Sequence, residues 1–438
     1  MDLGTFANSR RVLYILVAGI VLLVFLTVIL IVRSFGDRNA DRAVLRFWGV
    51  FDLPAAFEQV VREFEGLHPN IRIEYSQMSY EDYESSVISA LAAGTGPDVW
   101  MIHNTWLPKH ADKLRPMPNE VLSQQGMTTR EFQDAFVEVA YADLVRNDGI
   151  YALPLYIDTL GLYYNRDLFN AAGIASPPRT WKEFQDVVAR LTKFDQSNNI
   201  IQSGAAIGSA RNINRSTDIL MSLMLQSGVQ MTDPGGTSAT FSRSVDNQRV
   251  GDNVLQFYTD FTNPSKVVYC WNDDQHYSID AFIEGTTAMM FNYAHQQDVL
   301  RTRASRLNFA VAPIPQPTLD DVRTYASYWA PAVSAASLYP EQAWAFVQYL
   351  ASRQGALAYL NTARRPAARR DLIELQRNDA DLGIFAVQAL AARSWYQADS
   401  QAIETIFADM IDDVNFSRAS IQDALERAEN RVSTLMNR

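Results

Sequence analysis

Gly94-Thr95-Gly96-Pro97, followed by His103-Asn104-Thr105-Trp106, brings together the residue types that most invite a chemical reading. Two glycines in a turn can cradle a phosphate, and a His, an Asn and a Trp at a strand end can line an active site. The order of elements argues against the phosphate. A dinucleotide loop needs Gly-x-Gly-x-x-Gly opening a helix after a strand, and a P-loop needs a closing Lys-Ser/Thr. Here a helix-spaced apolar pattern (Tyr83, Val87, Leu91) runs out at Gly94, and the apolar run after Asp98 begins a strand. The glycines therefore read as a helix C-cap and a tight turn.

Other catalytic signatures are missing. His68, His103, His110, His276 and His295 show no metal-ligand spacing, so neither a metal nor a cofactor is expected. No Gly-x-Ser-x-Gly elbow is present. Cys270, the single cysteine, allows no intramolecular disulfide and reads as a small buried hydrophobe between Tyr269 and Trp271. The balance of 38 basic against 49 acidic residues, −11 in all, argues against nucleic acid as a partner. The arginines of "TARRPAARR" (362–370) read as a solvated loop.

What stands out is the recurrence of aromatic rings with Asp and Asn at predicted strand ends. Phe51 and Asp52 follow the first strand, Tyr80 the second, and Asn104 and Trp106 the third. Tyr156 and Asp158 precede a later strand, Asn292 and Tyr293 end another, and Tyr328 and Trp329 sit in "SYWAP". Trp271 and Trp395 belong to the same class of candidates. Open α/β sheets bind ligands beyond the carboxyl ends of their strands. Rings can stack on the apolar face of a sugar, and carboxylates and amides bond its hydroxyls. With no nucleophile or metal cage beside them, these residues suit binding better than catalysis.

Periodicity supplies the elements that must position them. "AVLRFWGV", an amphipathic helix through Phe57, Val60, Val61 and Phe64, "IRIEYS", the helix through Tyr83 and Val87, and "DVWMI" form a β-α-β-α-β run. That order implies a parallel sheet with right-handed crossovers. Thr180 and Glu183 form a capping box ahead of Phe184, Val187, Val188 and Leu191. "TTAMMFN", "LNFAVAPIP" and "SYWAPAVS" read as further strands, and the last forty residues as helical. A mixed α/β chain this long divides into two lobes. Ahead of it, residues 12–32 are an unbroken apolar run, which as a helix reaches roughly 31 Å, one hydrocarbon thickness. An uncleaved transmembrane anchor in the lipid bilayer is expected there, with residues 1–11 cytoplasmic and 33–42 a linker.

Four blocks in order resemble the extracellular solute-binding proteins of family 1, the maltose-binding-protein-like sugar receptors of ABC importers. They are "LRFWGVFDLPAAFEQVVREFEGLHPNIRIEY" with "ALAAGTGPDVWMIHNTWLPKHADKLRPM", then "YALPLYIDTLGLYYNRDLFNAAGI" with "PPRTWKEF", then "AFIEGTTAMMFN", then "AWAFVQYLAS". The resemblance runs from about residue 43 to the end. It implies a two-lobed, type II Venus-flytrap fold. Lobe one would combine 43–152 with 278–328, and lobe two 155–275 with 332–438. It also implies a solute, by class a sugar, held in the cleft, hinge closure without covalent chemistry, and docking on ABC permease subunits. The family's lipobox cysteine is missing, and the N-terminal span would substitute for it, leaving the soluble domain extracellular or periplasmic. Two other readings stay open. One is an anchored glycan-active enzyme using Asp52 and Asp158, and the other is a sensing module for a membrane partner.

Overall fold

The structure, a computed structural model, describes Thr27 and residues 42–122, 124–244 and 247–437. The expected membrane span at 12–32 lies, Thr27 apart, outside the described residues. Among the described residues no helix is long and apolar enough to cross a membrane.

The first sheet is the one the opening pattern predicts. Ala43–Gly49 pairs in parallel with Ile71–Gln77 on one side and Val99–His103 on the other. The alternation of the first strand puts Leu45 and Phe47 in the core, with Val60 and Phe64 of helix Ala55–Leu67 packed beside them. Helix Tyr80–Ala92 closes through Gly94, whose positive φ of 71° suits a residue without a Cβ. Gly94 N–H donates to Leu91 O at 3.1 Å and Thr95 N–H to Ala90 O at 2.9 Å, the paired bonds of a Schellman cap. Any side chain at Gly96 would meet the Leu91 backbone nitrogen at 2.9 Å. The two glycines end a helix, as expected.

The fourth strand of this sheet comes from far along the chain. Trp329–Val333 runs antiparallel against Val99–His103. A second sheet centres on Gly161–Asn165, flanked antiparallel by Met289–Asn292 and Phe309–Pro313. Each sheet sits in its own apolar core. One core draws on Leu45 to Ile157 and Ala326 to Ala392, the other on Leu160 to Tyr325 and Leu382 to Val432. The Thr180–Glu183 capping box forms, and its helix buries Trp181, Phe184, Val187, Val188 and Leu191 in the second core.

This corrects the expected lobe boundaries. Residues 278–325, assigned to lobe one, pack in the second core, and much of 332–392, assigned to lobe two, packs in the first. No crossing occurs near 275–280. A small three-stranded sheet gathers the crossings instead: Thr324–Ser327 pairs antiparallel with Asp158–Thr159 and in parallel with Ala392–Arg393. The physical reason is that strand periodicity marks a strand without naming its partner. Trp329–Val333 and Met289–Asn292 each pair with a strand over a hundred positions away.

Candidate ligand-binding site

A cleft of about 550 Å³ opens between the two cores, at the carboxyl end of the first parallel strands. Its first wall is aromatic. Phe51 and Tyr80 stack at 5.2 Å between ring centroids, and both are about half exposed. Trp329 stands edge-on to Trp106 at 4.9 Å, His103 at 5.4 Å and Phe51 at 6.0 Å. The turn that presents Phe51 depends on Gly49. A Cβ there would lie 2.6 Å from Tyr75 Oη, which donates to Asp52 O at 2.7 Å.

The opposite wall is polar and charged. Arg215, Asp218, Tyr293, Gln397, Gln401 and Glu404 line it from the second core. Tyr293 Oη donates to Asp218 Oδ2 at 2.8 Å, and the Arg215 guanidinium lies over the Tyr293 ring at 5.3 Å. Arg215 holds a left-handed φ of 65°, and its Nε is buried with no hydrogen-bond partner among the described residues. Strained backbone of this kind gathers at functional sites. Burial raises the Asp218 and Glu404 carboxyls above their ordinary range, with Arg215 opposing the rise. Burial, with Arg215 adding to it, pushes His103 down to about 3, so that imidazole is neutral. Its ring nitrogens reach Thr105 Oγ1 at 2.8 Å and Ser327 Oγ at 3.1 Å. Lys109 bridges the lobes at the cleft edge, 2.8 Å from Glu84 Oε1 and 2.8 Å from Asp399 Oδ2.

Of the residues singled out by sequence, Phe51, Tyr80, Trp106, Tyr156, Asp158, Tyr293 and Trp329 line this cleft. The other six do not, and each has a structural task. Asp52 accepts from Tyr359 Oη at 2.9 Å and from Arg365 Nη2 at 3.1 Å. Asn104 donates to Asp143 at 3.0 Å, and Tyr328 Oη donates to the same carboxylate at 2.8 Å. Asn292 donates to Asn214 Oδ1 at 3.0 Å and accepts from Tyr293 N–H at 2.9 Å. Trp271 is fully buried and donates to Asn212 Oδ1 at 2.9 Å, while Trp395 packs on Phe407. An amide or carboxylate at a strand end serves as well to clamp the next loop as to meet a ligand.

The carboxylates offered as a hydrolytic pair share this fate. Asp52 lies outside the cleft, and Asp158 accepts from Ala294 N–H at 2.9 Å and Thr159 N–H at 2.9 Å. The arginine-rich loop is also corrected: Arg365, read as solvated, is mostly buried, lies over the Tyr156 ring at 5.1 Å and lines the cleft floor. Sequence reasoning missed Arg215, Asp218, Arg365, Gln397 and Glu404. No group of His, Cys, Asp and Glu among the described residues could hold a metal ion.

Comparison with known proteins fits this geometry. The family profile described as bacterial extracellular solute-binding protein matches residues 51–357. The chain belongs to that family. A putative binding protein of Brucella abortus is 23% identical over 342 residues, 77% of this chain and 79% of the relative. The cyclic α-maltosyl-1,6-maltose binding protein of Arthrobacter globiformis superposes with a TM-score of 0.74 at 17% identity, covering 90% of this chain and 99% of that one. An ABC transporter solute-binding protein of Thermotoga lettingae, bound with α-D-tagatose, superposes at 0.69 with 21% identity, covering 90% and 100%. These likenesses establish the two-lobed fold of the solute-binding proteins.

Proposed function

We propose that this solute-binding protein captures a carbohydrate or oligosaccharide in the interlobe cleft and closes on it by hinge motion. The loaded form then docks on the permease subunits of an ABC importer, with residues 12–32 holding the domain at the outer face of the membrane. One observation carries the reading: an aromatic wall of Phe51, Tyr80 and Trp329 faces a wall of Arg215, Asp218, Gln397 and Glu404. A sugar ring has an apolar face for the first and hydroxyls for the second. Charged donors and acceptors side by side suit hydroxyls, which both give and take hydrogen bonds. The α-D-tagatose bound to one superposed protein and the cyclic maltosyl-maltose after which another is named support the sugar class, with ligands of different size on one fold.

Calorimetry of the full chain in lipid nanodiscs, titrated with monosaccharides and with linear gluco- and manno-oligosaccharides, tests the reading. Saturable binding of at least one series is expected, and silence across all of them overturns it. Tyr80→Ala, at a half-exposed position, should weaken binding by about 1–3 kcal/mol without a change in unfolding midpoint. Arg215→Met should weaken it similarly, because the guanidinium is replaced by a chain that cannot donate. Cell fractionation tests the anchor: the full chain should pellet with membranes, and a version starting at residue 38 should not.

A further inference from the structure

The cleft continues behind Arg215. A second chamber of about 280 Å³ adjoins the main one, and Arg215, Thr217, Asp218, Gln401 and Glu404 line both. Helix Ser216–Gln226 opens into it without a side-chain cap, and Thr405 and Ala408 of helix Ser400–Asn415 form its far side. Tyr277 stands at the rim, 40% exposed.

This tyrosine is exposed yet held. Its hydroxyl accepts from Asn214 Nδ2 at 2.7 Å. The two loops are tied together by Asn214 N–H donating to Ser278 Oγ at 2.8 Å and by Asn212 Nδ2 donating to Asn272 O at 2.9 Å and Gln275 O at 3.1 Å. A ring whose orientation is set in advance loses little freedom when a ligand stacks on it. The chamber's other cation is already used: Arg211 is paired with Asp409 at 2.7 Å and Asp412 at 2.8 Å. Beside Arg215, Asp218 and Glu404, which it shares with the main cleft, the chamber offers the neutral polar groups of Gln401 and Thr405, and such mixed donors and acceptors suit hydroxyls.

We propose that this chamber is a further sugar subsite. It takes the next unit of an oligosaccharide whose first units fill the main cleft, with the chain passing Arg215 and stacking on Tyr277. The inference rests on the carbohydrate reading and adds a ligand length to it. The test is the affinity of the full chain, by calorimetry, for gluco- and manno-oligosaccharides of increasing length. In the unaltered protein the affinity should rise about tenfold at the length that first reaches the chamber. Tyr277→Ala, which removes the platform, and Thr405→Trp, which fills the space, should each abolish that rise and leave shorter sugars bound as before. Thermal unfolding checks that both variants fold. A rise that survives both substitutions, or no rise in the unaltered protein, overturns the subsite while leaving the sugar reading intact. Failure of every sugar to bind overturns both.

Discussion

Trp329→Ala should lower the stability of the protein by about 3–5 kcal/mol, as large aromatic truncations in a packed core do. Trp329 lines the ligand cleft, yet only 7% of its surface is exposed. It opens the strand that runs back against Val99–His103, opposite His103 in the register. Besides Trp106, His103 and Phe51, it meets Tyr83 at 5.7 Å and Tyr80 at 6.3 Å, so one ring joins five others. Alanine there leaves a cavity that this cluster can fill only by moving the cleft wall. The residue is therefore a poor probe of ligand contact, because lost binding and lost packing arrive together. Trp106, 8% exposed, shares the difficulty. Urea unfolding without ligand decides the matter: a Trp329→Ala midpoint within about 1 kcal/mol of the parent would show that the wall does not depend on it. Tyr80→Ala is the matched control, since its ring is half exposed and its loss should register in affinity alone.

The contrast between Trp329 and Tyr80 shows what a sequence can reveal of such a site. Both are aromatic residues near predicted strand ends, and both face the cleft. Residue type and strand-end position single out both, but the rule that carboxyl ends of parallel strands share one edge places only Tyr80; Trp329 reaches that edge because its strand runs antiparallel. Nothing in that logic separates a platform from a packed wall, which depends on neighbours brought in by a distant strand. The opening β-α-β-α-β run, the Schellman cap at Gly94 and the Thr180 capping box were legible because each is written within a few residues. The lobe boundaries were not, because Met289–Asn292 and Trp329–Val333 declare themselves strands without declaring which sheet they join. The polar half of the site was hidden for a related reason. Arg215 and Asp218 open a helix and Glu404 lies within one, where charged residues are ordinarily solvent-facing. Arg365 looked like part of a basic loop, and its partner Asp52 is 313 positions away.

Asp143 should give the folded protein a stability that rises as pH falls from about 6 towards 4. Its carboxylate accepts from Asn104 Nδ2, Tyr328 Oη and Ser394 Oγ. Asn104 directly follows the strand Val99–His103 of the first sheet, while Tyr328 and Ser394 directly follow the strands Thr324–Ser327 and Ala392–Arg393, where the chain crosses between cores. One carboxylate thus ties the first lobe to two of the crossing segments. Among the described residues no cation is bonded to it, and burial outweighs the three donors, so it is pushed from its ordinary value of 3.8 up to about 6. A carboxyl raised by folding binds its proton more tightly in the native state than in the unfolded chain. Stability is then greatest below the unfolded value and is lost as pH climbs through the folded one, a total of roughly 2–3 kcal/mol for a shift of this size. Asp218 and Glu404 are raised too and add slope of the same sign, so the decisive measurement is a difference between proteins. Asp143→Asn keeps a carbonyl for the Asn104 and Tyr328 donors and turns its amide to the Ser394 hydroxyl, which can accept instead. Urea unfolding from pH 4 to 8 should show the parent gaining on Asp143→Asn as pH falls, with the change centred between about 4 and 6. Parallel curves for the two proteins would mean that Asp143 is ionised throughout. Asp143→Ala, which strands all three donors, should cost about 2–4 kcal/mol at any pH in that range.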